Sequence, residues 1–281
     1  MDGLAERFEA HRGTLRAVAY RMLGSVAEAD DAVQETWLRL SRVDADTVDN
    51  LGGWLRTVLS RVCLDVLRAR ESRREVPTRD DLAPDDPERE AVLADSVGRA
   101  LLVVLDRLGH AERVAFVLHD MFAVPFDEIA PIVGRTPVAA KKLASRARSR
   151  VRGAPAVPGD ELARQRRVVD AFLAASRAGD VDAVLAVLSP DVVRRADPMP
   201  GRATEVRGAR QVAREIAVFG RNARYAEVAL VGGAVGIVVA PAGRLTVALA
   251  CTVDGDRIAG YDLVTDPDRL RALDVAVLSP R

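Results

Sequence analysis

A chain of 281 residues has room for two or three modest domains, each with a core of its own. Nearly half of it is apolar, too much for a disordered chain, yet no apolar run is long enough to cross a bilayer. A formal net charge of zero argues against a free-standing, tight nucleic-acid binder, because phosphate neutralisation supplies most non-specific affinity. The N-terminus lacks the charged-then-apolar pattern of a secretory signal, so a cytoplasmic protein with no membrane association is expected.

In chain order, residues 4–23 read as a helix, with Leu4, Phe8, His11, Leu15, Val18 and Met22 at three- and four-residue steps. Gly24-Ser25 breaks it. Ser25, followed three residues later by Glu28, starts a second helix over Val26 to Leu40 in the manner of a capping box. Ala29, Val33, Trp37 and Leu40 form its apolar face; Asp30, Asp31, Gln34, Glu35 and Arg39 form the polar one. Ser41 to Asn50 is a loop by composition. A third helix over Leu51 to Arg70 carries Trp54, Leu55, Val58, Leu59, Val62, Val66 and Leu67 on one side and four arginines elsewhere. Three amphipathic helices make a small all-α domain over residues 1–72.

The stretch at 73–94 has no periodic apolar face. It contains Pro77, Pro84 and Pro87 among Asp80, Asp81, Asp85, Asp86, Glu88 and Glu90, and reads as an acidic linker. Helical periodicity resumes near Ala91, with Val92, Val97, Leu101, Leu105 and Leu108 on one face, and continues through Ala111 to Phe122. A short apolar helix, Phe126 to Val133, then ends at Gly134. Another starts at Thr136-Pro137, a hydroxyl cap followed by a proline whose missing N–H costs nothing in a first turn. On that last helix Ala139, Leu143, Ala147 and Val151 make a narrow packing stripe. Arg135, Lys141, Lys142, Arg146, Arg148, Arg150 and Arg152 occupy the other faces, with no acid between Arg135 and Arg152. Two helices joined by a tight turn, the second of them basic, form the helix-turn-helix pattern of a DNA-reading element. Residues 95–152 thus make a second all-α domain. Its basic helix, set against the acidic linker and zero net charge, suits a protein that meets DNA within a larger complex.

GAPAVPGD at residues 153–160 reads as a Pro/Gly hinge, after which the pattern changes. Helices are expected at 161–178, at 180–188 (capped by Asp180) and from about Arg207 to Phe219. Four β-branched-rich runs follow, at 225–231, 234–240, 244–253 and 257–264, separated by hairpin signals such as Gly232-Gly233. Asp266-Pro267-Asp268 starts a last short helix. Residues 161–281 are therefore an α+β domain with an antiparallel meander. Cys63 and Cys251 read as two buried, reduced thiols, and no His/Cys cluster has metal-ligand spacing, so no metal or other cofactor is expected.

EADDAVQETWLRL (28–40), GGWLRTVLSRVCLDVLRAR (52–70) and LDRLGHAERVAFVLHDMFAVPFDEIAPIVGRTPVAAKKLASRARSRV (105–151) stand in an order and spacing that resemble extracytoplasmic-function sigma factors of bacterial RNA polymerase. They correspond to region 2, a linker and region 4. The C-terminal part resembles the SnoaL-like domain, a cone-shaped α+β fold shared with nuclear transport factor 2 and ketosteroid isomerase. The resemblance implies two all-α domains followed by that domain. Its partners would be core RNA polymerase, promoter DNA and, for the C-terminal domain, a candidate small-molecule ligand.

By that resemblance Asp30, Asp31, Gln34 and Glu35 match the helix that docks on the polymerase clamp. The loop 41–50 and the helix from Trp54 match the part that reads and melts the −10 element, with Arg61, Arg68 and Arg70 as candidates for backbone contacts. Lys141, Lys142, Ser145 and Arg146 match the face that enters the major groove at the −35 element; Arg135, Thr136 and Arg148 match phosphate contacts. The hinge lacks the Trp-Leu-Pro-Glu-Pro segment of the best-known subgroup with this fusion. DVVRRADPMPGR replaces its glycine-rich Asp-Gly-Gly-Gly-Lys signature, while TDPDRL resembles its Asn-Pro-Asp-Lys-Leu.

Related cone folds hold an aspartate base and a tyrosine or protonated-aspartate donor in a dry pocket. Asp191, Asp197, Tyr225, Tyr261 and Asp262 are the side chains that such chemistry would need here. The main expectation is a promoter-specificity subunit that recruits core polymerase, recognises two promoter elements through its two helical domains, and is tuned in cis by docking of the C-terminal domain, without catalysis. The alternatives are a free-standing helix-turn-helix regulator with a ligand-sensing domain, and a small-molecule isomerase or cyclase carrying a helical appendage.

Overall fold

Helical periodicity and one serine cap set up the first part of the chain. The structure, a computed structural model, describes residues 2–43, 48–73 and 98–278. Helix α1 (Asp2–Leu23) is followed by α2 (Val26–Leu40), whose cap Ser25 accepts the Glu28 amide at 3.4 Å. The Glu28 carboxylate does not return to Ser25; it pairs with Arg70. Helix α3 (Leu51–Arg73) packs on both. Phe8, Leu15, Val18 and Met22 from α1, Ala29, Val33 and Leu40 from α2, and Leu55, Leu59 and Cys63 from α3 are all buried. Trp37 leans on Phe8 with ring centroids 5.1 Å apart, and Trp54 is half-buried.

Residues 74–97 lie outside the described residues, and with them the acidic linker expected at 73–94, except for Arg73 at the end of α3, and the start of the helix expected from Ala91; so do positions 44–47 of the loop. Helix α4 (Arg99–Asp106) precedes α5 (His110–Phe116), which continues as a π-helical turn, Val117–Met121. Then come α6 (Phe126–Val133) and α7 (Pro137–Arg152). Gly134 ends α6 at φ 65°, a conformation that suits glycine, and its amide closes on Ala130 O. Arg113 of α5, only 3% exposed, donates to Met22 O at the end of α1 at 2.9 Å and pairs with Asp106 at 3.2 Å. The described residues up to Arg73 and from Leu105 to Arg150 accordingly form one compact unit.

The second unit is built on a seven-stranded sheet. Helices α8 (Gly159–Ala178) and α9 (Val181–Val187) lead into β1 (Leu188–Ala196) and β2 (Glu205–Arg207). Helix α10 (Ala209–Phe219) leads to the meander β3 (Ala226–Val231), β4 (Ala234–Val239), β5 (Val247–Asp254) and β6 (Arg257–Val264). Helix α11 (Pro267–Ala272) and β7 (Val275–Ala276) complete it. The strand order is β2-β1-β6-β5-β4-β3-β7. The meander is antiparallel, as the hairpin signals predict; β1, which lies almost wholly in a stretch given no element from the sequence, pairs parallel with β6.

Alternation along the strands sends two apolar sets to opposite faces. Val235, Ile237, Cys251, Ile258 and Tyr261 face Phe172, Val184 and Val212 of α8–α10. Ala229, Val231, Val238, Ala240, Ala248 and Val264 face the other way and are covered by Ala100, Val103 and Val104 of α4 and by Leu270. Glu227 accepts the Ala100 amide at 2.9 Å at the start of α4. Residues 98–104, expected with the second all-α domain, thus group with the sheet, and so does Val151 onward. The expected hinge is fixed in this unit as well: Ala156 N donates to Gly233 O, and Val277 N to Val151 O, both at 2.8 Å.

Candidate nucleic-acid interface

The packing stripe of α7 fixes which side faces water. Ala140, Ala144 and Ala147 are fully buried, with Leu143 and Val151 partly so; the buried line runs one residue on from the expected Ala139. At 100° per residue, Val138, Lys141, Lys142, Ser145 and Arg146 fall on the opposite, exposed side. Thr136 is the cap, its hydroxyl accepting the Ala139 amide at 3.3 Å, and the exposed Arg135 donates to Gly134 O. Arg148 and Arg150 lie on the flanks of this face and are ion-paired, to Asp120 at 2.6 Å and to Glu112 at 2.9 Å. The hydrogen bond to Asp120 holds the Arg148 guanidinium above its ordinary value. A phosphate contact from Arg148 therefore means exchanging a carboxylate for a phosphate.

On α2, Asp31 and Gln34 are exposed, Glu35 pairs with Arg39 at 2.8 Å, and Leu38 joins the same face with 42% of its surface in water. Asp30 is turned toward α1, where Arg16 holds it at 2.6 Å. On α3, Arg61 and Arg68 are exposed, Arg68 at 3.7 Å from Asp65. Arg70 is placed differently. It donates to Glu28 and to Leu23 O, each at 3.0 Å, and so fastens α3 to the α1–α2 junction.

Of the five candidates in the sheet unit, Tyr225 and Tyr261 share the hydrophobic core, and each aspartate has partners of its own. Asp191 is exposed and accepts from Ser189, which keeps its carboxyl below the usual range. Asp262 is exposed and 3.9 Å from Arg195, and Tyr225 is buried beneath Arg224. Burial pushes the Tyr261 hydroxyl well up; the charged groups that act on it are Arg194 and Glu215, not an aspartate. Arg194, 4% exposed, pairs with Glu215 at 2.6 Å and donates to Ala203 O at 2.7 Å. Burial also raises both the Cys63 and Cys251 thiols to about 12, so neither is a nucleophile at neutral pH.

Asp197 closes a clamp. Only 6% exposed, it accepts the amides of Thr265 and Asp266 at 2.7 Å each and pairs with Arg269. Burial pushes its carboxyl up, but the Asp266 and Thr265 amides and Arg269 outweigh that and hold it below the usual range. A carboxylate so held is a poor general base. Its stabilising contribution is present above its unfolded value of about 4 and is lost as pH falls through the lower folded value. Asp197→Asn is expected to cost about 1–2 kcal/mol at pH 7. It should also flatten the loss of stability below about pH 4, as read by denaturant unfolding of the full chain at pH 7 and pH 3.

A model of Sigma-70 region 2 matches residues 7–73, the span of α1–α3. Over 250 residues the chain is 42% identical to the ECF RNA polymerase sigma factor SigJ of Mycobacterium tuberculosis, covering 82% of this chain and 78% of that one. The chain belongs to the ECF RNA polymerase sigma factor family. The probable ECF sigma factor SigI of the same species is 38% identical over 210 residues, covering 71% of this chain and 72% of that one. The crystal structure of M. tuberculosis SigJ aligns with 94% of this chain and 97% of that one, at 33% identity and a TM-score of 0.48.

Within an ECF sigma factor, two exposed apolar residues stand out that the sequence reading left aside: Leu38 on α2 and Val138 on α7. Each is a large apolar side chain on the polar side of an amphipathic helix, and that position was the available signal. The buried Arg194–Glu215 pair leaves no signal in the sequence, because residues 21 apart carry no periodic signature. Among the described residues no helix is long and apolar enough to cross a membrane.

Proposed function

We propose that this sigma factor joins core RNA polymerase through the α2 face of Asp31, Gln34, Glu35 and Leu38 and reads promoter DNA with two helical surfaces. Arg61 and Arg68 of α3 support the strand at the −10 element, with Arg70 committed to the fold. Lys141, Lys142, Ser145 and Arg146 of α7 enter the major groove at the −35 element, with Arg135 and Arg148 at phosphates and Thr136 at the helix cap. The C-terminal α+β domain is SnoaL-like, has no catalytic role, and tunes the sigma regions in cis. The site of action is the cytoplasm.

The observation that carries this reading is the segregation on α7: four polar or cationic side chains exposed opposite a buried alanine line, with the flanking arginines paired to acids. In a chain of zero net charge that face can select a base sequence but supplies little non-specific affinity. Mobility shift of a promoter duplex with and without core polymerase tests it. Retention is expected only with polymerase present; a tight shift by the sigma factor alone would favour a free-standing regulator.

Leu38 tests the docking face separately. A leucine surrounded by acids on an exposed helix is the kind of apolar centre that carries binding energy at an interface. Leu38→Arg is expected to weaken binding to core polymerase at least about 10-fold. The thermal unfolding of the isolated chain should change far less, since the side chain lies on the exposed side of α2 with 42% of its surface already in water.

A further inference from the structure

Val138 is the second residue of α7 and is 68% exposed, more than Leu38, Val43 or Val181, the other exposed large apolar side chains among the described residues. It faces directly away from Ala140, Ala144 and Ala147, so packing does not explain it. A β-branched residue in an exposed helical turn is also slightly unfavourable for the helix. Lys141 and Lys142 stand one turn further on along the same face, and Ser145 two turns on. That surrounding charge, with no acid from Arg135 to Arg152, commits the face to a polyanion.

In a helix-turn-helix the first residues of the second helix meet base edges, and in the major groove the thymine 5-methyl is the apolar group among donors and acceptors. We propose that Val138 packs on the methyl group of a thymine in the promoter element read by α7, making it a specificity-determining residue beside the polar contacts of Lys141 and Lys142. This rests on the reading of α7 as the helix that enters the major groove.

The test uses full-length protein with core polymerase and duplexes selected from a random pool by that complex. Each thymine of the upstream element is replaced in turn by deoxyuridine, which removes the methyl and leaves every hydrogen-bonding group in place. At one position the replacement is expected to lower affinity about 3- to 10-fold for the native chain, and to have little further effect on Val138→Ala. Val138→Thr, which keeps one methyl, should fall between them. Indifference to uracil at every position, or an equal loss in native and Val138→Ala proteins, would overturn the proposal. So would a Val138→Ala defect confined to polymerase binding, which would assign the valine to a protein partner. If base changes anywhere in the upstream element leave binding unaltered, the major-groove reading of α7 falls with it, an outcome distinct from uracil indifference alone.

Discussion

Lys142→Glu combined with Arg146→Glu is expected to lower promoter-dependent transcription by roughly 100-fold or more while leaving core-polymerase binding intact. Both side chains are exposed on the open face of α7, opposite Ala140, Ala144 and Ala147, so reversing them disturbs no core. A good bidentate base contact is worth about 1–3 kcal/mol, and a reversed charge adds repulsion from neighbouring phosphates. Arg150→Glu is the control. It lies on a flank, already paired to Glu112, and should change transcription far less than the double variant. Equal losses from the two would mean that the charge of the helix matters and its exposed face does not.

Val103→Asp is expected to destabilise the sheet unit by about 4 kcal/mol or more, in the range reserved for buried, unpaired charge. Val103 is 1% exposed and lies among Ala229, Val231, Val238, Ala240 and Ala248. A carboxyl there either stays ionised without a partner or is neutralised at the cost of a raised pKa. Denaturant unfolding followed by circular dichroism should show the sheet transition moved to lower denaturant, with Val103→Ala moving it less. The same packing bears on truncation. Cleavage within Gly153 to Asp160 leaves α4 on one fragment and the sheet on the other. A fragment of residues 161–281 would then expose the apolar sheet face to water and is expected to aggregate.

The contrast between α2 and α4 shows what the sequence can convey. Helix α2 has a serine cap, a regular apolar face and a polar face, and its limits and buried side follow from local rules. Helix α4 has eight residues, RALLVVLD, apolar nearly all round, so periodicity gives no direction and the strands that cover Ala100, Val103 and Val104 lie more than a hundred residues away. For the same reason the stripe on α7 is displaced by one position: with Ala139, Ala140, Ala144 and Ala147 all small, burial depends on the partner surface and not on residue type. Strand β1 opens with Leu-Ser-Pro-Asp and carries Arg194-Arg195, a composition with no clear strand signal. It becomes a strand because β6 offers it a parallel edge at Gly260 to Leu263.

At the sites, the basic face and the acidic face were open to pattern reading because each sits on an amphipathic helix. Which member of a face is committed elsewhere was not. Arg70 and Arg61 are alike in sequence terms, yet Arg70 bonds to Glu28 and Leu23 O, contacts 42 and 47 residues away. Asp197, a candidate base by residue type, is instead the acceptor that joins the end of β1 to Thr265, Asp266 and Arg269. That clamp gives TDPDRL a structural purpose which the similarity of its letters could not.

The central claim, that α7 and α3 act as promoter-reading surfaces of a polymerase-bound sigma factor, is tested most directly by run-off transcription with core polymerase on genomic templates. Discrete promoter-dependent products are expected with the native chain, and their loss with Lys142→Glu/Arg146→Glu. Absence of any promoter-dependent product from the native chain, with core polymerase shown to be bound, would contradict it.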